Sequence, residues 1–414
     1  MKDPIFKRLL ELHPKFSDLS LIRITKLLKK LKFNEKKLPK VIHIAGTNGK
    51  GSTASIIKSL LNEHNYTTHL YTTPHLVKFN ERIQLYSKDI SDQLLLKYLY
   101  HCEKINQKNL ITYFEITTAA ALMAYQDHPA DFLILEVGLG GRFDATNIIK
   151  NKKYAAITPI SIDHQDYLGN SLTKIAYEKL SIFNHKSINF INYQKPVVKK
   201  FAINFLRENA IQAQFAGSNW KISNHFYIDK DYKISLENLS LNGIHQYENA
   251  GLAIALVKNI LKSNFDIQVA QKALSNVQWA GRLQQIKKGK LIKTINQFHS
   301  IFLDGFHNLD GVKVFIKNLK GKNNLLVCSF LINKKYQAIL KLLAPHFKKI
   351  LVVPMKEENS IQSKHIINTN KINMSKSLLD AINEINNQSG LNATIYFGGS
   401  LYFIGEVLQF NNKK

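Results

Sequence analysis

The sequence is poor in the features that disulfide frameworks, secretion and membrane insertion require. Its two cysteines, Cys102 and Cys328, lie far apart in apolar surroundings. We therefore expect both to be buried in a reducing compartment, the cytoplasm, without a disulfide or metal role. The apolar run from Leu325 is far shorter than the ~20 residues that a membrane helix needs, so we expect no membrane association. The N-terminal segment contains Asp3 and Glu11 and has no continuous apolar stretch, so we expect no secretory signal.

Arginine is also scarce: six of the 57 basic residues are arginines, and the formal net charge is +27. Such an excess of positive charge ordinarily suggests a nucleic-acid partner. Here the lysines are scattered over polar segments without interleaved aromatic residues, and asparagine and isoleucine are abundant, as a coding bias would produce. We therefore expect no nucleic-acid site. Arg82, Arg142 and Arg282 lie inside glycine-rich or polar motifs, where a planar set of donors does what a lysine cannot.

The chain of 414 residues, 45% of them hydrophobic, is long enough for two domains with separate cores. Apolar strand-like runs alternate with helix-like segments from residue 40 onward, which predicts a parallel sheet covered by helices. Short alternating runs between Asn219 and Asn242 predict antiparallel strands. After a hinge placed at Arg282 to Lys293 the alternation restarts. The predicted fold class is α/β, with a phosphate-loop, parallel-sheet domain over residues 1–285 and a smaller Rossmann-like, doubly wound domain over 286–414.

A glycine-rich loop is the strongest functional motif. Residues 43–52 read HIAGTNGKGS, an apolar strand that breaks into glycines, and the apolar spacing of the next residues is that of a helix. In this context the glycines let backbone N–H groups surround phosphate oxygens, Lys50 reaches the β- and γ-phosphates, and the Ser52 hydroxyl contacts Mg²⁺. The alternative is a glycine-rich turn with a chance lysine. The motif favours ATP and Mg²⁺ as cofactors.

Further polar residues follow the predicted strands, at the sheet edge where open α/β proteins bind ligands. Thr73 follows one strand in a polar loop, although an ordinary surface loop is an equally good interpretation. Glu136 ends an apolar strand, where burial of a carboxylate requires a compensating cation: Mg²⁺ or, alternatively, Lys50 or Arg142. His164 follows the next strand, and a polar core histidine is its alternative. Lys179 lies in a helix that begins near Ser171.

Three weaker motifs complete the set. HQYENA opens a helix with Asn249, whose amide suits a purine or a carboxylate. WAGRLQ contains Arg282, which is placed to reach a phosphate from the side. LDGFHN contains Asp304 and His307 at the first strand end of the second domain, so we expect both to face the cleft between the domains. Their order along the chain, rather than any one of them, is what makes the set specific.

Together the strings AGTNGKGS, TTPHL, FNERI, LEVGLGGRFDATN, DHQDYLG, WAGRLQ, LDGFHN and GGSLYFIGEV resemble the bifunctional dihydrofolate synthase/folylpolyglutamate synthase family, in the Mur ligase superfamily, across nearly the whole chain. The resemblance implies that Thr47, Asn48, Gly49, Lys50, Gly51 and Ser52 hold the triphosphate. It implies that Thr73, Glu136 and His164, with Ser52, bind magnesium and that Lys179 is carried as a carbamate. It also implies ATP contacts from Asn249, Arg282 and Asp304, and a pteroate site lined by Ser17, Asp18, Leu19, Phe143 and Ala145.

The activity that the resemblance implies is an ATP-dependent ligase that adds L-glutamate to dihydropteroate and to reduced folates through an acyl phosphate. We expect Lys50, Lys179 and His307 to be its catalytic residues, and we expect a monomer that binds small molecules only. Asn333 and Lys335 stand where the family has carboxylates, which alters the expected glutamate site. The alternatives are a Mur-type cell-wall ligase, disfavoured by the ~40 residues before the phosphate loop, and a nucleic-acid-associated phosphate-loop ATPase.

Overall fold

The structure, a computed structural model, describes residues 3–11, 20–295, 300–321, 323–357, 359–387 and 393–413. The chain consists of two compact units. Unit 1 comprises Met1–Pro74, Lys78–Ser240 and Gln246–Val277, and unit 2 comprises His75–Val77, Leu241–His245 and Gln278–Lys414. No helix among the described residues is long and apolar enough to cross a membrane.

The described part of unit 1 is built on an eight-stranded sheet in the order β4-β3-β2-β5-β1-β6-β7-β8. Its strands are β1 Lys40–Ala45, β2 Thr68–Tyr71, β3 Ile83–Leu85, β4 Lys88–Asp89, β5 Phe132–Glu136, β6 Tyr154–Ile157, β7 Ile188–Ile191 and β8 Ala213–Phe215. The strands from β2 to β8 in that order run parallel, whereas β3 and β4 form an antiparallel edge. The central strands are almost wholly buried, because helices cover both faces of the sheet.

A second, antiparallel sheet in unit 1 has the order β11-β10-β9 and confirms the prediction for the segment from Asn219 to Asn242. Its strands are β9 Trp220–Ser223, β10 Phe226–Asp229 and β11 Lys233–Ser235. The helices of unit 1 are α1 Pro4–Glu11, α2 Ile22–Lys30, α3 Lys50–Glu63, α4 Asp92–Asn106, α5 Tyr113–Asp127, α6 Gln165–Leu168, α7 Leu172–Leu180, α8 Pro196–Glu208, α9 Ile244–Leu261 and α10 Ile267–Ser275, with the first two residues of α9 counted in unit 2.

Several of these helices begin where the sequence provides a side-chain cap. Ser171 accepts a hydrogen bond from the Lys174 N–H at the start of α7, and Thr112 forms a capping box with Glu115 at the start of α5. Such caps satisfy backbone donors of the first turn that have no partner within the helix. The cap at Ser171 agrees with the predicted start of the helix that contains Lys179.

Unit 2 contains a six-stranded sheet over its described residues, in the order β12-β13-β17-β14-β15-β16. Its strands are β12 Gln284–Ile286, β13 Ser300–Asp304, β14 Asn324–Cys328, β15 Lys349–Val352, β16 Ile372–Met374 and β17 Thr394–Gly398. All neighbours pair in parallel except β12, which is antiparallel to β13. Its helices are α11 Lys290–Thr294, α12 Leu309–Lys317, α13 Tyr336–Leu343, α14 Leu378–Asn386 and α15 Leu401–Asn411.

The segment predicted as a hinge is regular structure within unit 2. The boundary predicted between residues 285 and 286 falls inside β12, where Gln284, Gln285 and Ile286 pair with β13. Leu291 of α11 is fully buried in the unit 2 core. A three-residue strand with two glutamines shows no alternation of apolar and polar residues, so the pattern could not reveal it. Cys102 and Cys328 are free and buried, as the sequence predicted.

Candidate functional site

The phosphate-binding loop joins β1 to α3 and is anchored to the chain that follows β6. The N–H groups of Thr47 and Asn48 donate to the Pro159 carbonyl at 3.0 and 3.2 Å. The Thr47 hydroxyl donates to the Ser161 carbonyl (3.1 Å) and accepts from the Ser161 N–H (3.0 Å). The loop is therefore held in place by the segment after β6 before any ligand binds, which lowers the ordering cost of binding.

Gly49 is the N-cap of α3 and has φ +89°, a left-handed conformation that favours glycine. A Cβ atom at this position would collide with the Oδ1 atom of Asn249. Asn249 is buried in α9, and its Nδ2 donates to Gln246 Oε1 at 2.9 Å. The structure thus brings Asn249 against the phosphate loop, as its predicted role requires.

Glu136, Lys50 and Thr73 also meet at this loop. Glu136 is buried at the end of β5, with its Oε1 3.9 Å from Lys50 Nζ and its Oε2 accepting from the Thr73 N–H at 3.4 Å. Lys50 Nζ donates to the Thr47 carbonyl at 3.3 Å. Of the two alternative cations for Glu136, Lys50 is the one beside it, whereas Arg142 pairs with Glu178 at 2.8 Å. A carboxylate and a cation therefore both lie beside the position expected for the phosphates.

His164 lies beyond the end of β6 and has a left-handed backbone conformation, with φ +50°. Its N–H donates to Asp163 Oδ1 at 2.9 Å, and its Nε2 lies 3.9 Å from Asp163 Oδ2. Because the His164 side chain is 40% exposed, the alternative of a polar core histidine is wrong. An accessible imidazole next to a buried carboxylate is suited to binding a ligand.

Lys179 is buried near the end of α7. Burial and the nearby charge of Lys50 lower the pKa of Lys179 to about 7, while Asp163, Asp144 and Glu178 act in the opposite direction. The structure therefore places Lys179 in the electrostatic environment of Lys50. A lysine with a lowered pKa has a larger neutral fraction near pH 7 than an ordinary surface lysine, and the neutral amine is the form that reacts as a nucleophile.

The residues predicted to bind magnesium suit a metal that arrives with a nucleotide. Among the described residues, no group of three or more His, Cys, Asp or Glu side chains could hold a metal ion. Mg²⁺ usually keeps several waters and is held by one or two carboxylates together with substrate phosphates. Buried Glu136, next to the phosphate loop, fits this kind of site. The imidazole of His164 is a less typical ligand for such a hard cation.

In unit 2, Arg282, Asp304 and His307 lie together at the end of β13. Asp304 Oδ2 accepts from the Leu283 N–H (2.8 Å) and its Oδ1 from the Phe306 N–H (2.9 Å). Arg282 Nη1 donates to the Gly305 carbonyl at 3.4 Å, and His307 Nδ1 lies 3.0 Å from the same oxygen. Burial raises the pKa of Asp304, and Arg282 opposes that shift. The predicted set is thus one local cluster.

The predicted pteroate residues are placed differently from one another. Phe143 is 36% exposed, and its ring lies 4.3 Å from the guanidinium carbon of Arg142. Ala145 is buried and belongs to a hydrophobic core cluster of unit 1, so its methyl group packs in the core. Ser17, Asp18 and Leu19 lie outside the described residues. Of Phe143 and Ala145, Phe143 has the side chain that is exposed enough to contact a substrate.

Sequence reasoning missed Asp144, which organises the loop after Glu136. It is buried and accepts from the N–H groups of Gly138 (3.0 Å), Leu139 (2.8 Å) and Thr146 (3.0 Å). Burial raises the pKa of Asp144 above its ordinary value, although these hydrogen bonds oppose the shift. An aspartate side chain that accepts from the backbone N–H two residues on forms an Asx turn, and an aspartate in a loop, as in the string DATN, is the signal for one.

Comparison with known proteins agrees with this geometry. The family of the Mur ligase middle domain matches residues 44–257. The dihydrofolate synthase/folylpolyglutamate synthase of Bacillus subtilis is 30% identical over 411 residues, 93% of either chain, and that of Haemophilus influenzae is 32% identical over 80% of this chain and 78% of its own. A crystal structure of Mycobacterium tuberculosis folylpolyglutamate synthase complexed with ADP and AMPPCP has a TM-score of 0.86 and 26% identity, covering 99% of this chain and 98% of that one. The chain therefore belongs to the dihydrofolate synthase/folylpolyglutamate synthase family and is an ATP-dependent ligase.

Proposed function

We propose that the chain joins the amino group of L-glutamate to the carboxylate of dihydropteroate and, in further cycles, to the γ-carboxylate of reduced folates. The observation that supports this most directly is the meeting of Lys50, Glu136 and the buried Lys179 at a preformed phosphate loop. The relative from Mycobacterium tuberculosis, which is complexed with ADP and AMPPCP, supports ATP as the nucleotide. Cys102 and Cys328, both free and buried, fit a reducing compartment such as the cytoplasm.

The proposed reaction has two steps. The substrate carboxylate attacks the γ-phosphorus of ATP, so that ADP leaves and an acyl phosphate forms. The neutral α-amine of glutamate then attacks the acyl carbon, the amide forms, and inorganic phosphate leaves with one oxygen of the original carboxylate. Little covalent chemistry falls to the protein, which positions the reactants and stabilises developing charge.

The phosphate loop, residues Thr47 to Ser52, holds the triphosphate in this proposal, and Lys50 stabilises the negative charge that develops on the transferred phosphoryl group. Glu136, with Thr73, His164 and Ser52, is the proposed binding set for Mg²⁺. Bound there, Mg²⁺ would supply charge neutralisation at the β- and γ-phosphates. Asn249 supports the loop from α9, in keeping with its contact with Gly49.

Lys179 is proposed as the lysine that carries a carbamate. A neutral amine adds to CO₂ with loss of a proton, and the product is an anionic, carboxylate-like group. Burial of Lys179 favours the neutral amine because it lowers the pKa to about 7. The neighbouring cation Lys50 would then stabilise the carbamate once it forms.

The remaining roles are assigned by unit. Phe143 of unit 1 is the proposed contact for the aromatic part of the pteroate. Arg282 and Asp304 are proposed nucleotide contacts, and His307 a catalytic group, which their clustering at the end of β13 supports. We place glutamate binding in residues 286–414.

An oxygen-transfer assay tests the proposal. Purified protein is given ATP, Mg²⁺, glutamate and dihydropteroate labelled with ¹⁸O in its carboxylate, and a reduced folate is used in parallel. We expect glutamylated product and one ¹⁸O atom in each phosphate released, because the acyl phosphate passes its bridging oxygen to phosphate. ATP hydrolysis that is stimulated by nucleic acid and indifferent to pterins would instead favour the ATPase alternative. Product with one pterin substrate alone would assign the chain to one of the two activities.

A further inference from the structure

The turn formed by Gly140, Gly141, Arg142 and Phe143 closes the C-terminal end of helix α7. The last carbonyl groups of an α-helix have no partner within the helix. The Tyr177 carbonyl is satisfied by the Ser181 N–H, whereas the Glu178 carbonyl accepts from the Arg142 N–H of the turn at 2.8 Å. The turn thus caps α7 at the residue that immediately precedes Lys179.

Gly141 permits this contact because the two backbones lie very close together. A Cβ atom at position 141 would lie 2.5 Å from the Glu178 carbonyl oxygen and 3.1 Å from the Cα atom of Lys179. The first of these distances is shorter than real Cβ atoms show, so only glycine fits without displacement. The position of the Lys179 backbone is therefore tied to the turn.

A pair of side chains reinforces the same junction. Arg142 Nη2 lies 2.8 Å from Glu178 Oε1, and Glu178 is only 13% exposed. The guanidinium carbon of Arg142 also lies 4.3 Å from the ring centre of Phe143 and 5.0 Å from that of Tyr177. A positive charge at a helix C-terminus is further favoured by the helix dipole. Arg142 thus binds α7 through an ion pair and an aromatic ring together.

We propose that Arg142 and Glu178 are positioning residues that hold Lys179 and Phe143 in a fixed register, by locking the Gly140–Phe143 turn onto the end of α7. Neither side chain is assigned a contact with substrate. The inference rests on the proposed function for the part that Lys179 plays in turnover, but the geometry of the junction stands without it. A partly exposed ion pair contributes little to stability, so positioning is the effect to look for.

The chain contains a matched control pair. Arg8 and Glu103 also lie 2.8 Å apart, with side-chain exposures of 43% and 21% against 40% and 13% for Arg142 and Glu178. Arg8 also lies over an aromatic ring, that of Tyr100, at 5.7 Å. Glu103 is in α4, and neither residue belongs to the candidate site. Equivalent substitutions in the two pairs therefore separate positioning from the general loss of an ion pair.

The experiment compares Glu178→Gln and Arg142→Lys with Glu103→Gln and Arg8→Lys in the whole protein. Measurements are kcat, the KM for dihydropteroate, the Kd for ATP, the melting temperature, and the rate at which acetic anhydride labels Lys179, read by mass spectrometry. Lys152, another buried lysine, is the internal reference for labelling. The double variant Arg142→Glu/Glu178→Arg exchanges the two charges and so keeps an ion pair at the junction. It tests whether the two residues act together.

We expect kcat to fall about tenfold and the KM for dihydropteroate to rise in both site variants, because ~1 Å of misplacement is enough for losses of this order or more. The Kd for ATP and the melting temperature should match those of the control variants. Lys179 should be labelled faster relative to Lys152, and the charge-reversed double variant should recover part of the kcat.

Unchanged labelling of Lys179 in both site variants would overturn the inference, whatever the activity of the protein. The inference would also be overturned if the control variants lost as much kcat as the site variants, or if the site variants lost ATP affinity in parallel with kcat. Either result would show a general effect on the fold. If the parent protein makes no glutamylated product while the labelling difference is still seen, the proposed function fails and the positioning role stands.

Discussion

Each unit contains a parallel strand followed by a loop and a helix, and the two helices begin differently. In unit 1, α3 begins after Gly49, which has no side chain that could cap the first N–H groups of the helix. In unit 2, α12 begins after Asn308, whose side chain accepts from the Gly311 N–H at 2.8 Å. The free N–H groups of a first helical turn attract anions. A glycine cap leaves those of α3 available to a phosphate, whereas the asparagine cap occupies one of those of α12.

The carboxylates at the two strand ends differ in the same way. Glu136 lies beside the cation of Lys50, with one Thr73 N–H at the long distance of 3.4 Å. Asp304 binds two backbone N–H groups at 2.8 and 2.9 Å, so that both of its oxygens stabilise the loop that carries it. Glu136 therefore lies beside the cation of the phosphate loop, whereas both oxygens of Asp304 also hold the loop that presents Arg282 and His307.

The largest effect is expected from Lys50→Ala, which removes the cation at the phosphate loop. We expect kcat to fall by ~10²–10³, the usual cost of losing one group that stabilises transition-state charge. The circular dichroism spectrum should stay that of the parent. Lys58→Ala is the control, since Lys58 lies in the same helix and donates to Gln84 Oε1 at 2.9 Å. Near-normal turnover without Lys50 would mean that α3 is an ordinary helix like α12.

The second prediction concerns the pH dependence of stability that Lys179 produces. Its pKa is about 7 in the folded protein and 10.5 for a lysine in water, so between these values the unfolded chain binds more protons than the folded one. The free energy of unfolding must therefore rise with pH in that window, by up to ~1.4 kcal/mol per pH unit. As the pH falls toward 7, the protein becomes less stable by the same amount.

Urea unfolding of the parent and of Lys179→Met at pH 7, 8 and 9 measures this contribution in the absence of CO₂. The difference in unfolding free energy between the two proteins should change in favour of the parent as pH rises. Lys152→Met is the control for a buried lysine outside the site, because burial also lowers its pKa to about 7. A difference that stays constant with pH would show that Lys179 does not titrate in this window.

The next prediction tests whether Glu136 is a metal ligand or only a buried structural acid. Glu136→Gln should raise the Mg²⁺ concentration for half-maximal activity by at least ~10-fold, because a neutral amide is a poorer ligand for a hard cation and even indirect ligand support is worth 10–100-fold. Glu115→Gln is a control, since Glu115 is also buried in unit 1 but pairs with Arg23 at 3.0 Å. An unchanged Mg²⁺ titration in Glu136→Gln would show that Glu136 is not a metal ligand.

The sequence predicted those elements whose signals are local. The helices α3 and α7 begin within a few residues of the predicted places, because apolar periodicity and a capping residue mark them. The edge strands β3, β4 and β12 were missed, since two or three residues are too few to show a period. Their pairing depends on neighbouring strands that lie far away in sequence or across a turn.

The site was predictable where a motif carries its own geometry. The contact of Lys50 with Glu136 follows from a phosphate loop on β1 beside the end of β5, its parallel neighbour. The pair between Arg142 and Glu178 was not predictable, because each residue has several possible partners and only the packing of the turn on α7 selects one. The burial of Ala145 was likewise not predictable, since it depends on tertiary contacts, and its place in the pteroate site stays a prediction.

The smallest effect is expected at the N-cap of α12. It tests whether the asparagine cap in unit 2 is structural, in contrast to the glycine cap of α3. Asn308→Ala removes the hydrogen bond to the Gly311 N–H and should lower the free energy of unfolding by ~1 kcal/mol, the typical cost of losing an N-cap. Asn308→Gly should cost only a few tenths of a kcal/mol, because glycine lets solvent reach the exposed N–H groups. Ser91→Ala at the N-cap of α4, where the hydroxyl accepts from the Leu94 N–H at 3.2 Å, is the matched control. Urea unfolding measures all three variants. If Asn308→Ala leaves stability unchanged while Ser91→Ala lowers it, the cap of α12 is not structural, and the contrast between the two helix starts does not hold.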